Sequence, residues 1–316
     1  PRASTSGRAR HAERLTPRAG RRGRRSPRVT DPEPTRLFVA GAGLMGSGIA
    51  QTAVQSGFEV DLFDTRRGAA DSAREQIGAR LDRAEAAGRL PDGGARSAAE
   101  RLQVAAEVER ASAAEVVIEA ITEELEAKLE LWRELDQVCP EKTIFTSNTS
   151  SIPITRLASA TGRPDLFMGM HFYSPVPVME LVELIRGVLT SDDTFSEIEE
   201  LSRRLGKTPV TSSDTPGFIG NRILIPFLNE AMAALQEGVG NAGDIDQVAK
   251  LGFRHPMGPL ELADFIGLDV VLSICRVMYQ GLHDPRYAPN PLLERLVEAG
   301  QLGRKTGRGF HVYDSA

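Results

Sequence analysis

Cysteine is almost missing from this 316-residue chain: Cys139 and Cys275 give neither a disulfide ladder nor metal-ligand spacing, so a reducing compartment is the natural setting. No cluster of His, Asp and Glu has metal spacing either, which excludes a resident metal from the expected chemistry. Apolar runs long and charge-free enough to span a bilayer do not occur, so no membrane association is expected. Lysine is absent from residues 1–30, which instead hold ten arginines and one acid, Glu13. Without them 28 basic and 42 acidic residues remain, a net of −14 against −5 for the whole chain. So acidic a body excludes broad nucleic-acid binding, and a phosphate-bearing ligand must be met by local groups. What is present, 41% hydrophobic and 26% charged residues, is ordinary for a globular protein.

The Arg/Ser/Pro-rich start cannot bury a core and is expected as a disordered tail over 1–34. Three readings of it stay open. It is upstream sequence from a wrong start site (the chain opens at Pro1), a transit peptide implying mitochondrial import, or a nucleic-acid-binding arm.

Regular structure begins near Thr35. The short apolar strand Arg36–Ala40 runs straight into Gly41-Ala-Gly-Leu-Met-Gly46, and Met45, Ile49 and Ala53 then recur at helical spacing up to Gly57. Further strands are expected at 58–63, 116–119, 143–146, 166–170 and 179–185, with helical stretches at 66–88 and between the third and fourth. That alternation predicts parallel pairing and an α/β, Rossmann-type doubly wound sheet over 35–213. After Asp214-Thr-Pro-Gly217 the pattern turns almost wholly helical, broken at 238–243, 255–259 and 284–291. A smaller all-helical C-terminal domain over 214–316 follows from this.

The glycine loop has a strand before it and a helix after it. Gly41 permits the tight turn, Gly43 lets the backbone approach a pyrophosphate, and Gly46 lets helix and strand pack closely. Phosphates sit at such a helix N-terminus, flanked by Leu44 and Met45, because free N–H groups and the dipole favour negative charge. Asp64 ends the second strand 23 residues after Gly41, where a carboxylate binds ribose hydroxyls and repels a 2′-phosphate. NAD is therefore expected over NADP, with Arg66 and Arg67 as the opposing signal.

The most informative stretch is His171-Phe-Tyr-Ser-Pro-Val-Pro-Val-Met-Glu-Leu-Val-Glu-Leu-Ile185. His171 ends an apolar strand, where open α/β sheets place their ligands. Glu183 shares a strand face with Leu181 and Ile185, and a carboxylate there is costly unless paired. A neutral histidine can take a hydroxyl proton near pH 7 while a carboxylate behind it orients the ring. On these residues alone, a structural histidine and an exposed edge glutamate explain the pattern equally well.

The glycine loop with Asp64, Ser147-Asn-Thr-Ser-Ser151, the His171 segment, Asp214-Thr-Pro-Gly-Phe-Ile-Gly-Asn-Arg222, Pro256-Met-Gly-Pro259 and Lys305-Thr-Gly-Arg-Gly-Phe310 occur in one order. In that order they resemble the 3-hydroxyacyl-CoA dehydrogenase family, including bacterial 3-hydroxybutyryl-CoA dehydrogenases, from about Arg36 onward. The resemblance implies that His171 is the general base, Glu183 its orienting partner, and Ser150 the hydroxyl that bonds the reacting oxygen. It implies that Glu119 and Asn148 lie beside the nicotinamide and that Asn221 helps hold the substrate. Asn221 also shares a helix stripe with Leu224, Ile225 and Leu228, where a structurally satisfied amide is nearly as good a reading. Ser174 stands where the family often has Asn, and Glu180 where Lys is common, so Ser174 is a substrate contact of reduced reach.

By the same resemblance the partner is an acyl-CoA thioester, its nucleotide covered by the hairpin around 66–90, where Arg74, Arg80, Arg83 and Arg89 read mainly as a solvated face. The reaction belongs to fatty-acid β-oxidation in the cytoplasm, and the assembly is a homodimer through 214–316. Two further enzyme readings remain, a dehydrogenase of a non-CoA hydroxy acid, as in gulonate dehydrogenase and lens crystallin relatives, and one acting on an acyl-carrier-protein thioester. A non-catalytic NAD-binding relative is the reading from another class. Gly303-Arg-Lys-Thr306 lacks the spacing of a phosphate loop and reads as structural closure.

Overall fold

The computed structural model describes residues 35–313; the readings of residues 1–34 lie outside them. Eight strands form one sheet in the order β3-β2-β1-β4-β5-β6-β7-β8. They are β1 (Arg36–Ala40), β2 (Glu59–Phe63), β3 (Leu102–Val104), β4 (Val116–Glu119), β5 (Ile144–Ser147), β6 (Phe167–Phe172), β7 (Leu181–Arg186) and β8 (Thr208–Ser213). The inner strands are mostly apolar and buried along nearly their whole length because both sheet faces are covered. One face is covered by α1 (Leu44–Gln55), α2 (Ala69–Ala86) and α3 (Gly94–Glu100). The other carries α4 (Leu125–Val138) and α5 (Ile154–Ala158), and α6 (Asp192–Arg204) returns to the first. Trp132 of α4 packs against Phe145 and Phe167 at 5.0 and 4.7 Å between ring centres. Truncating so large a core ring to alanine typically costs about 3–5 kcal/mol.

The expected all-parallel pairing holds for every pair except β6–β7, which is antiparallel. The chain between these two strands is too short for a crossover, so it can only turn back on itself. The strand expected to stop at Met170 continues through His171 and Phe172, which puts His171 directly across from Glu183 in the ladder. Two strands were not foreseen, β3 and β8. Each is a sheet edge, one only three residues long and the other polar, largely exposed and carrying Pro209. Edges are made this way because it blunts further pairing.

Helices α7 (Gly220–Gln236), α8 (Ala242–Gln247), α9 (Pro259–Ile266), α10 (Leu268–Leu282) and α11 (Pro291–Glu298) follow the sheet and enclose a core of their own, including Ile225, Leu228, Leu260, Leu272 and Leu293. A single π turn, Val248–Gly252, extends α8. One of the four arginines expected on a solvated face departs from it. Arg80 shares a stripe of α2 with Ala73, Ile77 and Ala84, all buried, and its Nε and Nη2 are buried without a hydrogen-bond partner among the described residues. Burial pushes its pKa below the usual guanidinium value, and the charge of Arg83 adds to that.

Candidate active site

Strand order reverses between β1 and β4, so a crevice opens at the carboxyl ends of these two strands. The glycine loop lies there. Gly41 has φ +108°, a conformation that disfavours side chains, and its N–H donates to Phe63 O at 2.7 Å. A Cβ on Gly41 would strike the carbonyl of Ala120, and one on Gly46 would strike the carbonyl of Gly41. Gly43 differs, because a Cβ there would meet nothing within 4 Å. It precedes α1 with no side-chain cap, so the first N–H groups of that helix face open space. Leu44 is exposed and Met45 half-buried beside them. Close packing behind the loop and room in front of it fit a dinucleotide pyrophosphate.

Asp64 sits at the end of β2 with both carboxylate oxygens engaged. Oδ2 accepts from Ala42 N at 2.8 Å and Oδ1 from Arg66 N at 2.9 Å, while the Arg66 guanidinium donates to both at 3.1 Å. Burial opposes ionisation, but hydrogen bonds from Arg66 and Ala42 outweigh it and hold the carboxyl below its ordinary pKa. Asp64 therefore braces the glycine loop.

At the far side of the crevice, His171 Nδ1 lies 2.9 Å from Glu183 Oε2. An ionised carboxylate only accepts, so Nδ1 carries the proton and Nε2 keeps its lone pair. Glu183 is 1% exposed yet satisfied four times over. Oε2 also accepts from the Tyr173 hydroxyl at 2.9 Å, and Oε1 accepts from Ile219 N and Gly220 N, each at 3.0 Å, at the start of α7. Burial raises its pKa, but hydrogen bonds from His171, Tyr173 and Gly220 bring it below the ordinary value. A helix N-terminus from the all-helical region thus completes a pair made by two strands.

Between these two sites runs the loop after β5. Asn148 Oδ1 accepts from Phe172 N at 2.8 Å, which fixes the strand end next to His171. Ser150 donates through N and Oγ to Glu123 Oε1, at 2.9 and 3.3 Å, and its carbonyl accepts from Asn221 Nδ2 at 3.4 Å. Glu119 is fully buried. It accepts from Lys128 Nζ at 2.5 Å, Ile121 N at 2.8 Å and Ser147 Oγ at 2.6 Å. Its carboxylate is therefore turned inward, and it acts on the cleft through the shape of the loops it anchors.

The fold brings His171, Glu183, Asn148, Ser150 and Asn221 to one end of the sheet, across the crevice from Gly41, Gly43, Gly46 and Asp64. Ser174 is exposed at the start of the loop that leaves β6, joined to Pro175 by a cis peptide. Sequence reasoning missed Lys128, Glu123 and the Tyr173 hydroxyl. Lys128 had a readable signal, because it lies on the helical stripe of Leu131, Trp132 and Leu135. The terminal Lys305 bonds Asp269 and Arg304 bonds Glu261, in keeping with a closing tail. Among the described residues no group of His, Cys, Asp and Glu could hold a metal, and no helix could cross a membrane.

A dinucleotide loop facing a buried histidine–carboxylate pair defines an NAD-dependent dehydrogenase. Family comparison makes this specific: "3-hydroxyacyl-CoA dehydrogenase, NAD binding domain" matches residues 36–215 and "3-hydroxyacyl-CoA dehydrogenase, C-terminal domain" matches 217–313. The chain belongs to the 3-hydroxyacyl-CoA dehydrogenase family and is an NAD-dependent oxidoreductase of that family. It is 49% identical over 281 residues to a 3-hydroxybutyryl-CoA dehydrogenase of Bradyrhizobium diazoefficiens, covering 89% of this chain and 96% of that protein. It is 48% identical over 282 residues to a Bacillus subtilis protein named "Probable 3-hydroxybutyryl-CoA dehydrogenase", covering 89% and 98%. The crystal structure of an (S)-3-hydroxybutyryl-CoA dehydrogenase from Ralstonia eutropha superposes with a TM-score of 0.86 at 44% identity, covering 90% of this chain and all of that one.

Proposed function

We propose that the substrate is a short L-3-hydroxyacyl-CoA thioester and that His171 is the base for oxidation of its C3 hydroxyl. Nε2 takes the hydroxyl proton as the C3–H bond breaks with its electron pair, leaving a ketone at C3 and an imidazolium on His171. NAD, when bound, is the acceptor of that hydride. Glu183 holds the ring through Nδ1 and stabilises the imidazolium. The Ser150 hydroxyl and the Asn221 amide, which donates to the Ser150 carbonyl, orient the substrate oxygen, and Ser174 makes an outer contact. Asn148, Leu44 and Met45 flank the cofactor with the three glycines and Asp64, while Glu119 acts as a brace. The observation that carries this reading is the Nδ1–carboxylate contact, which leaves Nε2 without a bonded partner among the described residues. The names of the relatives support a four-carbon acyl group.

His171→Gln should bind NADH normally and lose at least ~10²-fold in kcat, the usual scale of general acid–base catalysis. Initial rates on CoA and carrier-protein thioesters of increasing chain length test the substrate. Preference for a carrier-protein thioester, or for a free hydroxy acid, would overturn the CoA assignment.

A cytoplasmic role in β-oxidation and a two-fold homodimer through 214–316 complete the proposal. The dimer is supported by Ile223, Val248, Leu251 and Phe253, each more than half exposed on this one lobe. Light scattering at micromolar concentration should return a dimer for the full chain and for a version beginning at Pro34; a fully active monomer would remove the claim.

A further inference from the structure

Tyr173 has no part in the proton transfer described above, yet its hydroxyl bonds the same oxygen of Glu183 that holds His171. Its ring lies 5.0 Å from the imidazole. The start of α7 is shaped around that hydroxyl. Gly220 has no side chain at the point of closest approach, and a Cβ there would collide with Tyr173 Oη. We infer that Tyr173 is a positioning residue that sets the proton affinity of the His171 base by sharing Glu183 Oε2 with it. The inference rests on the His171–Glu183 reading.

The direction follows from the donors around the carboxylate. Glu183 is faced by His171 from β6, by Tyr173 from the loop beyond it, and by the N–H groups of Ile219 and Gly220 from α7; from β8 its ladder neighbour is the uncharged Val210. The other ring against His171 is Phe218, also uncharged. A phenol that donates to Oε2 draws charge away from the contact with Nδ1. The carboxylate then stabilises the imidazolium less than it would alone. Burial and the charge of Glu183 push the phenol well above its ordinary pKa, so it remains a donor throughout the working range.

In Tyr173→Phe, Oε2 is left to His171 alone. The acidic limb of kcat/KM for alcohol oxidation should move upward by about 0.5–1 pH unit. The thioester KM on the plateau should stay close to that of the parent. A packing role would lower the plateau or raise KM and leave the limb in place. The Cε1–H resonance of His171 gives a second reading that needs no turnover. It is assigned among five histidines by its loss in His171→Gln, and its titration midpoint should rise by the same amount. If His171→Gln retains oxidation, the dyad reading itself fails. If His171→Gln is inactive while both limb and resonance of Tyr173→Phe superpose on the parent's, only the tyrosine inference is overturned.

Discussion

Two buried clusters, one at the carboxyl end of β4 and one where the end of β6 meets β7, lie on either side of β5 and are finished in opposite ways. At β4, Lys128 and Glu119 are 1% and 0% exposed as side chains, and both oxygens of Glu119 are bonded within the protein. At β6 and β7, Glu183 is just as completely satisfied, but among the described residues no group bonds His171 Nε2. Both clusters bear the desolvation cost of buried charge. The first answers it within the protein and is a brace. The second leaves one basic nitrogen without a bonded partner among the described residues, as the proposed proton transfer requires. A buried, fully bonded carboxylate is thus common to both clusters, and the unbonded nitrogen tells them apart.

That contrast predicts two different kinds of damage. Glu183→Gln should cost a factor similar to His171→Gln, at least ~10² in kcat. The double variant should lose little more than either single one, because the pair acts as a unit. Fully multiplicative losses in steady-state kinetics would mean that the two residues do not work as a pair. Lys128→Met should instead act on stability. Removing one partner of a buried ion pair costs about 3–5 kcal/mol, since an uncompensated charge remains. Denaturant unfolding should show that loss, while the pH dependence of whatever activity survives stays unshifted. A Lys128→Met protein of normal stability would erase the distinction.

How far these two regions could be read beforehand differs for a physical reason. The glycine loop, its strand and its helix are local features, and their spacing carried them. The pairing of His171 with Glu183 was approachable because a single turn joins their strands, although the antiparallel register was not foreseen. The four-donor shell of Glu183 was out of reach, since two of its donors are backbone groups of Ile219 and Gly220, more than thirty residues away. Lys128 was readable in principle as a charge on an apolar stripe, but α4 is otherwise rich in charged residues, which hides one inward lysine. Edge strands β3 and β8 escaped because edges are selected against looking like strands.

A third pair falls between the two types and makes a smaller prediction. Asp64 is mostly buried but its partner Arg66 is exposed, at 8% and 72% as side chains. The pair is therefore open on the arginine side only. NAD should be preferred over NADP by at least about 10-fold in kcat/KM, which needs only about 1.4 kcal/mol. Asp64→Ser should narrow that gap and free Arg66 to meet a 2′-phosphate. Equal use of both cofactors by the parent protein would assign Arg66 that role already.

In acid the brace and the dyad should behave alike, and this is the smallest effect. Glu123, which Lys128 of the brace also meets at 3.3 Å, and Glu183 of the dyad both have pKa values held below the ordinary 4.5. For each, burial works against ionisation. It is outweighed at Glu123 by the charge of Lys128 and by bonds from Thr149, Ser150 and Ser151, and at Glu183 by His171, Tyr173 and Gly220. A carboxyl with a depressed folded pKa binds fewer protons in the native state than in the unfolded one. Its stabilisation is fully present above the unfolded value and is lost as pH falls through the folded value. Above about pH 5.5 neither group should contribute to the pH dependence of Tm, and below that both should, increasingly as pH falls through about 4.5. Glu123→Gln and Glu183→Gln remove one titrating group each, so each variant should show a shallower fall of Tm below that point than the parent. If Glu183→Gln alone flattens the curve, Lys128 and the loop donors do not hold Glu123 as they are arranged to, and the brace is looser than its geometry.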